Sequence, residues 1–452
     1  MQAINPTTGE LIREYREHSE TEARDLLDRA GVSFEVWRDV PLEARAALMR
    51  ATGALLRARR DELAALATDE MGKTLTAAEA EVDKCAACCD WFAERAALGL
   101  ASRLIATDAG RSFVRYDPLG VVLAIMPWNF PFWQVFRCAV PALMAGNVVA
   151  LKHASGVPGA ALAIERLFRD AGLPEGAFTT LMVPASAAEG LIEHPAVRAV
   201  SLTGSEQAGI QVAARAGRAL KRCVLELGGS DAFIVLADAD PVETAAAAAA
   251  ARTVNNGQSC IAAKRFIVEQ PVAERFERAL AERMAALRVG DPRRRETDIG
   301  PLARAELVTV LEAQVEASIA AGARRLAGGA RLAGPGFFYA PTVLANTGPG
   351  MPVFDQETFG PVAAVARARD AQHALELANH SRYGLGASVW TRDAGRGEAL
   401  AARLEAGSVF VNGAVKSDPR LPFGGVKRSG YGRELSDEGL REFVNVKTVW
   451  VK

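Results

Sequence analysis

The chain has 452 residues, half of them apolar and 24% charged, with 53 basic against 54 acidic side chains and a net charge of −1. That length allows roughly three domains at about 150 residues each, and the charge balance supplies no long-range field for phosphate polymers or anionic lipid. Nucleic acid and membrane surfaces are therefore set aside as expected partners.

The opening MQAINPTTGELIREY has no basic region followed by an apolar one, so no secretory signal is expected. LGVVLAIMPWNFPFW is broken by two prolines and falls short of the roughly 20 residues of a spanning helix, and a cytoplasmic protein is expected. Residues 20–105 read as successive amphipathic helices. CAACC at 85–89 has the i, i+3, i+4 spacing of one buried helix face, which predicts core packing and no metal site. The six cysteines, at 85, 88, 89, 138, 223 and 260, show no disulfide-framework spacing. RSFVRYDPLGVVLAIM then alternates around Asp117-Pro118-Leu119-Gly120 and reads as a strand pair.

From VVLAIMP to CVLELGG, apolar strands alternate with amphipathic helices, the pattern of parallel βαβ units, so the fold class is α/β. Ligands of such sheets gather beyond the carboxyl ends of the strands. A second alternating region runs from FIVLADAD to about residue 430, through a helix containing the seven alanines 245–251, with the boundary placed near 228. The last segment, REFVNVKTVWVK, alternates like a strand with Val446, Thr448 and Trp450 on one side, which calls for a partner surface.

Four features carry chemistry. In VNNGQSCIAAKR, residues 254–265, Cys260 follows turn-forming residues, and Ile261-Ala262-Ala263 suit a helix start that would lower a thiol pKa. On local sequence it reads equally as an inert buried thiol. Glu226 ends the apolar strand of CVLELGGSD just before Gly228 and Gly229, placed either as a cleft-facing base or as a solvated strand-end acid. PWNFP, 127–131, holds Trp128 and Asn129 between two prolines: a fixed amide donor for an oxyanion, or simply a stiff turn. The G-x-G-x-x-G fingerprint is missing. Gly204, Ser205 and Gly209 stand at one helix start, and Lys152 ends the strand NVVALK.

Taken in order, PWNFP, LKHAS, LTGS, LELGG, NNGQSC, ETFGPV and PFGGVKRSGYGRE resemble the aldehyde dehydrogenase superfamily over nearly the whole chain. KHAS, ELGGSD and AAKRFI are most similar to its bacterial succinate-semialdehyde dehydrogenases. The resemblance implies a Rossmann-type cofactor domain (1–100 and 119–228), an α/β catalytic domain (229–430) and a small β oligomerisation arm (101–118 and 431–452), assembled as a homodimer or homotetramer. It implies that Cys260 adds to an aldehyde, that Asn129 and the Cys260 N–H hold the oxyanion, and that Glu226 activates water against the thioester. Lys152 and Glu357 would hold cofactor ribose hydroxyls, with Trp128, Gly204, Ser205 and Phe359 along the cofactor.

Ser155 stands where NAD-selective members carry a glutamate that repels a 2′-phosphate, so NADP is expected as cofactor with NAD also usable. Arg137 matches the carboxylate-binding arginine of the succinate-semialdehyde enzymes, against the alternative of an arginine salt-bridged to a neighbour. Val254 replaces a second arginine of the mammalian enzymes, and Arg420 beside PFGG is a candidate for the missing charge. Ala262 replaces the cysteine of their regulatory disulfide. The rivals are a dehydrogenase for glutarate semialdehyde or a broad range of aldehydes, a CoA-acylating enzyme, a thiol hydrolase, and a silent binding protein of the same fold.

Overall fold

Ser19 opens the first helix, Glu20–Trp37, through a reciprocal capping box with Glu22, which satisfies two backbone donors that a helix start leaves free. Leu42–Ala58 and Arg60–Met71 follow, the latter ending on Gly72 at φ 82°. Thr74 then caps the long helix Leu75–Gly99. Cys85, Cys88 and Cys89 lie on its inner face, fully buried in the main core with Phe92 and Met49. A computed structural model describes all of residues 1–452.

Two large sheets organise the chain. The six-stranded one runs in the spatial order Gly430–Tyr431, Arg222–Glu226, Val197–Thr203, Val121–Met126, Val148–His153, Phe178–Thr180, all parallel except the first. From Val121–Met126 the chain steps outward twice, then returns to the other side with Val197–Thr203. The carboxyl ends of those two strands thus flank a topological switch point, where open α/β sheets place their ligands. PWNFP follows one of them and Gly204-Ser205 the other.

Residues 227–231 carry the chain across to a seven-stranded sheet, Arg324–Ala327, Thr342–Ala345, Val362–Ala368, Arg265–Glu269, Ala232–Val235, Gly386–Trp390, Ser408–Val411, again parallel but for the first strand. Its strands alternate between two cores: Phe233, Val235, Phe266 and Val268 face one, and Ala232, Ile234 and Ile267 the other. The seven alanines lie in the helix Pro241–Thr253, capped by Asp240.

One expectation is corrected here. Arg111–Pro118 and Val121–Met126 are both strands, but they do not pair with each other. Arg111–Pro118 instead pairs antiparallel with the terminal strand Val444–Val451 over eight residues, with Arg103–Leu104 on its other edge. Alternation announces a strand, yet it does not say which sheet claims it. Val446 and Trp450 remain half-exposed on this three-stranded arm. No helix is long and apolar enough to cross a membrane.

Candidate active site

Cys260 lies just before Arg265–Glu269, at the amino edge of the seven-stranded sheet. Glu226 ends a strand at the carboxyl edge of the six-stranded one. The crossover between the sheets lays the glycine turn after Glu226 against the Cys260 backbone, while the Glu226 carboxyl itself lines neither of the cavities beside Cys260. A side chain on Gly229 would put its Cβ 2.6 Å from the Cys260 carbonyl, and one on Gly228 would stand 2.5 Å from the Glu357 carboxylate, so the glycines of LELGG allow a close backbone approach.

The helix start expected after Cys260 is absent. Asn255, Asn256 and Gly257 all take positive φ (56°, 59° and 78°), and the reversal they impose sends the chain through a turn straight into the next strand. The loop's polarity comes instead from Lys264, whose buried ammonium donates to the carbonyls of Ser259 (3.0 Å), Cys260 (2.9 Å) and Ala262 (3.0 Å). Burial outweighs the charges of Arg137 and Lys264, and the Cys260 thiol is pushed up to about 12. The resting group is therefore the thiol, and its activation falls to what enters the site.

Asn129 is buried against the same loop. Its Nδ2 donates to the Gln258 carbonyl at 3.0 Å, while Asn255 Nδ2 donates back to the Asn129 carbonyl at 2.7 Å. The turn is clamped from behind by Glu81, which accepts from the backbone N–H of Phe132 (2.8 Å) and Trp133 (2.9 Å) and pairs with buried Lys73. Glu226 is also buried, with neither carboxylate oxygen hydrogen-bonded, and burial raises its pKa well above the usual carboxylate range. Burial thus favours its protonated form, and once ionised such a carboxylate is a stronger base than one in water.

Cys260 stands at the wall between two cavities. One, of about 270 Å³, is lined by Trp128, Asn129, Gly204, Ser205, Glu357 and Phe359, with Arg304 over the Trp128 ring. Trp128 and Phe359 meet edge to face, 5.7 Å between centroids. Six of the residues singled out in the sequence thus converge with Cys260. Lys152 and Ser155 lie outside that lining, at the end of the neighbouring strand: Lys152 is buried with a lowered pKa, and Ser155 is exposed. Both stand at the carboxyl edge, which suits the outer half of a dinucleotide, and the aromatic slot with Glu357 suits its nicotinamide half.

The other cavity, of about 280 Å³, is lined by Phe130, Trp133, Arg137, Val254, Val415 and Phe423, among others. Arg137 is there, but its guanidinium pairs with buried Glu434, donates to Thr203 Oγ1 at 3.2 Å and stacks on Phe423 at 4.5 Å. Arg137 is thus both salt-bridged and part of the cavity wall. Arg420 is a correction: it is exposed, absent from the lining, and held by Asp418 at 2.7 and 2.8 Å, because that acid lies two residues away on the same loop. Lys84, Lys264, Ser417 and Glu434 escaped the sequence reading. Only Lys264 had a usable signal, a lysine and arginine opening a strand otherwise apolar enough to be buried.

His153 is the histidine of LKHAS. Its Nε2 lies 2.8 Å from the Pro131 carbonyl and its Nδ1 accepts from Ala154 N–H at 2.8 Å, so both ring nitrogens are occupied in the neutral form. Cys260 therefore has no histidine partner in this ring, which removes the ground for a thiol hydrolase.

The chain belongs to the aldehyde dehydrogenase family, whose model matches residues 1–449. It is 48% identical over 448 residues to a succinate semialdehyde dehydrogenase of Escherichia coli named for NAD(P)+, covering 99% of this chain and 97% of that one. A succinate-semialdehyde dehydrogenase of Mycobacterium avium named for NADP+ is 49% identical over 454 residues, covering 99% and 96%. Among solved structures, a succinic semialdehyde dehydrogenase from Streptococcus pyogenes in complex with NADP+ superposes with a TM-score of 0.97 at 37% identity, covering 100% of this chain and 99% of that one.

Proposed function

We propose that this chain oxidises succinate semialdehyde to succinate with NADP as cofactor and NAD also usable. The observation that carries the reading is the position of Cys260, exposed at once to a slot fit for a nicotinamide and to a cavity whose wall bears the cations Lys84 and Arg137. The names of the relatives support the same substrate and cofactor.

In this reaction the Cys260 thiol loses its proton to water in the cavity, the sulfur bonds to the aldehyde carbon, and the carbonyl π pair moves onto oxygen as the thiohemiacetal oxyanion forms. Asn129 has one amide hydrogen committed to Gln258 and a second free for that oxygen, alongside the Cys260 N–H. A nicotinamide bound along Trp128 and Phe359 supplies the acceptor for the hydride that leaves this carbon. Glu226 then takes the proton of the water that attacks the thioester, and the carbon–sulfur bond breaks to release the acid and the thiol.

Residues 1–100 and 119–228 serve as the cofactor domain and 229–430 as the catalytic domain, while 101–118 and 431–452 form the arm of a cytoplasmic homodimer or homotetramer. The exposed Val446 and Trp450 of that arm support association. The test is an aldehyde panel read by reduced cofactor with each nucleotide. Succinate semialdehyde should exceed butanal by at least about tenfold in kcat/KM, and NADP turnover should stay above about a hundredth of NAD turnover. Equal rates on both aldehydes would favour a broad-range enzyme.

A further inference from the structure

We propose that Lys264 is a positioning residue for the nucleophile: its buried ammonium grips the Cys260 loop by three carbonyls and brings to the sulfur a positive charge that favours the thiolate. The inference deepens the aldehyde-oxidising function proposed above and rests on it for the role of Cys260.

Lys264 stands just before the strand Arg265–Glu269 and is fully buried, a place where an ammonium is costly unless its hydrogens find partners. All three do. They meet the carbonyls of Ser259, Cys260 and Ala262 at 3.0, 2.9 and 3.0 Å. A neutral amine has two hydrogens, and its lone pair would face a carbonyl oxygen, so this geometry selects the charged form.

The charge is not cancelled where it stands. The nearest carboxylate, Glu357, is 4.0 Å away, beyond hydrogen-bond reach, and already accepts from the Gly229 N–H at 3.0 Å. Asp231, just before the strand Ala232–Val235, is the second acid, and its Oδ1 accepts from the Gly386 N–H at 3.1 Å. Arg252, from the alanine-rich helix, is a like charge and donates to the Gly257 carbonyl at 2.6 Å. Arg265 is spent on the carbonyls of Ser230, Leu377 and Ala378. At the sulfur these fields oppose each other: Arg137 and Lys264 favour the thiolate, while Glu357 and Asp231 disfavour it. Arg137 pairs directly with Glu434, whereas Lys264 is tied to the very loop that carries the thiol.

Burial brings the pKa of Lys264 itself down to about 8, with Glu357, Asp231 and Cys260 acting against burial and Arg252 with it. The support it gives is therefore present below that pH and fades above it. When Cys260 ionises, its proton goes to water and the electron pair stays on sulfur; Lys264 keeps its own proton.

The experiment alkylates the full chain with iodoacetamide, without aldehyde or nucleotide, and follows Cys260 by peptide mass spectrometry from about pH 6.5 to 10. In the parent the rate should rise about tenfold per pH unit, flatten between about pH 8 and 9, and then resume its climb. Lys264→Met should react roughly tenfold more slowly at about pH 7, climb without a break, and come within about twofold of the parent by about pH 9.5. Lys264→Arg, whose charge does not titrate in this range, should keep the roughly tenfold advantage over Lys264→Met at every pH. A parent profile without the break, or a Lys264→Met protein that reacts as fast as the parent or faster, overturns the proposal and leaves Lys264 a loop clamp alone. Should the variants fail to fold, judged by thermal melting, the parent profile decides. The readout needs no turnover, so its failure leaves aldehyde oxidation standing, and a failure to oxidise aldehydes would leave the thiol profile unchanged.

Discussion

The two cavities that meet at Cys260 are nearly equal in size, about 270 and 280 Å³, but they are built differently. The cofactor side takes much of its wall from turns directly after strands, Pro127–Asn129 after one and Gly204-Ser205 after another, completed by Arg304, Glu357 and Phe359. The substrate side is made of side chains from Leu75–Gly99, Trp133–Met144 and the loop 415–423, segments far apart in the chain. Strand-end turns frame the first, and side chains from helix and loop build the second. Change of substrate through substitution is therefore expected on the second side, with the first left intact.

The sharpest way to break this comparison is at the shared wall. Cys260→Ser should lower kcat/KM by roughly 10⁴-fold while NADP binding, followed by fluorescence quenching, stays within about twofold, because an alcohol is a far weaker nucleophile and the cofactor slot keeps its shape. Turnover at the parent rate would remove the covalent scheme altogether. Next in size is Glu226→Gln, expected to lower kcat by roughly 10²–10³-fold while keeping a rapid burst of about one reduced cofactor per site in stopped flow. Loss of the burst would mean that Glu226 acts before the thioester forms.

A third effect concerns stability on the cofactor side. His153 is buried and neutral, its pKa brought down to about 4 chiefly by burial. The unfolded chain binds this proton near pH 6.5 and the folded one only near 4, so stability is complete above the first value and falls as pH drops toward the second. The loss amounts to about 3 kcal/mol over that window. Urea midpoints measured from pH 7 to 4.5 should fall for the parent and fall less for His153→Gln. A parallel decline in both proteins would put the acid sensitivity elsewhere. The smallest effect is expected from Arg420→Ala, less than about twofold in KM for succinate semialdehyde, since its charge is spent on Asp418 outside the cavity.

The same contrast explains what could be read from the sequence. Trp128, Asn129, Gly204, Ser205, Glu226 and Cys260 each sit in a short contiguous motif at the end of an element, where local sequence and position coincide. Lys84 sits in a helix whose pattern speaks only of an amphipathic face, and Ser417 lies more than three hundred residues away from it. Nothing local announces their hydrogen bond in the cavity wall. Arg137 was legible as a residue of interest, but its partner Glu434 arrives with the strand Gly430–Tyr431, which pairs beside Glu226. The turn after Cys260 misled for a different reason: apolar residues following a polar run suit a helix start, and only the three left-handed residues 255–257 reveal the reversal.

Lys264 fastens the main chain on both sides of the nucleophile by three carbonyls. With its backbone anchored in this way, the thiol reaches one neighbour or the other by rotation about a single side-chain bond, a motion of picoseconds to nanoseconds. The enzyme then needs no loop rearrangement between its two chemical half-steps, and slow events in its cycle belong to the arrival and departure of small molecules.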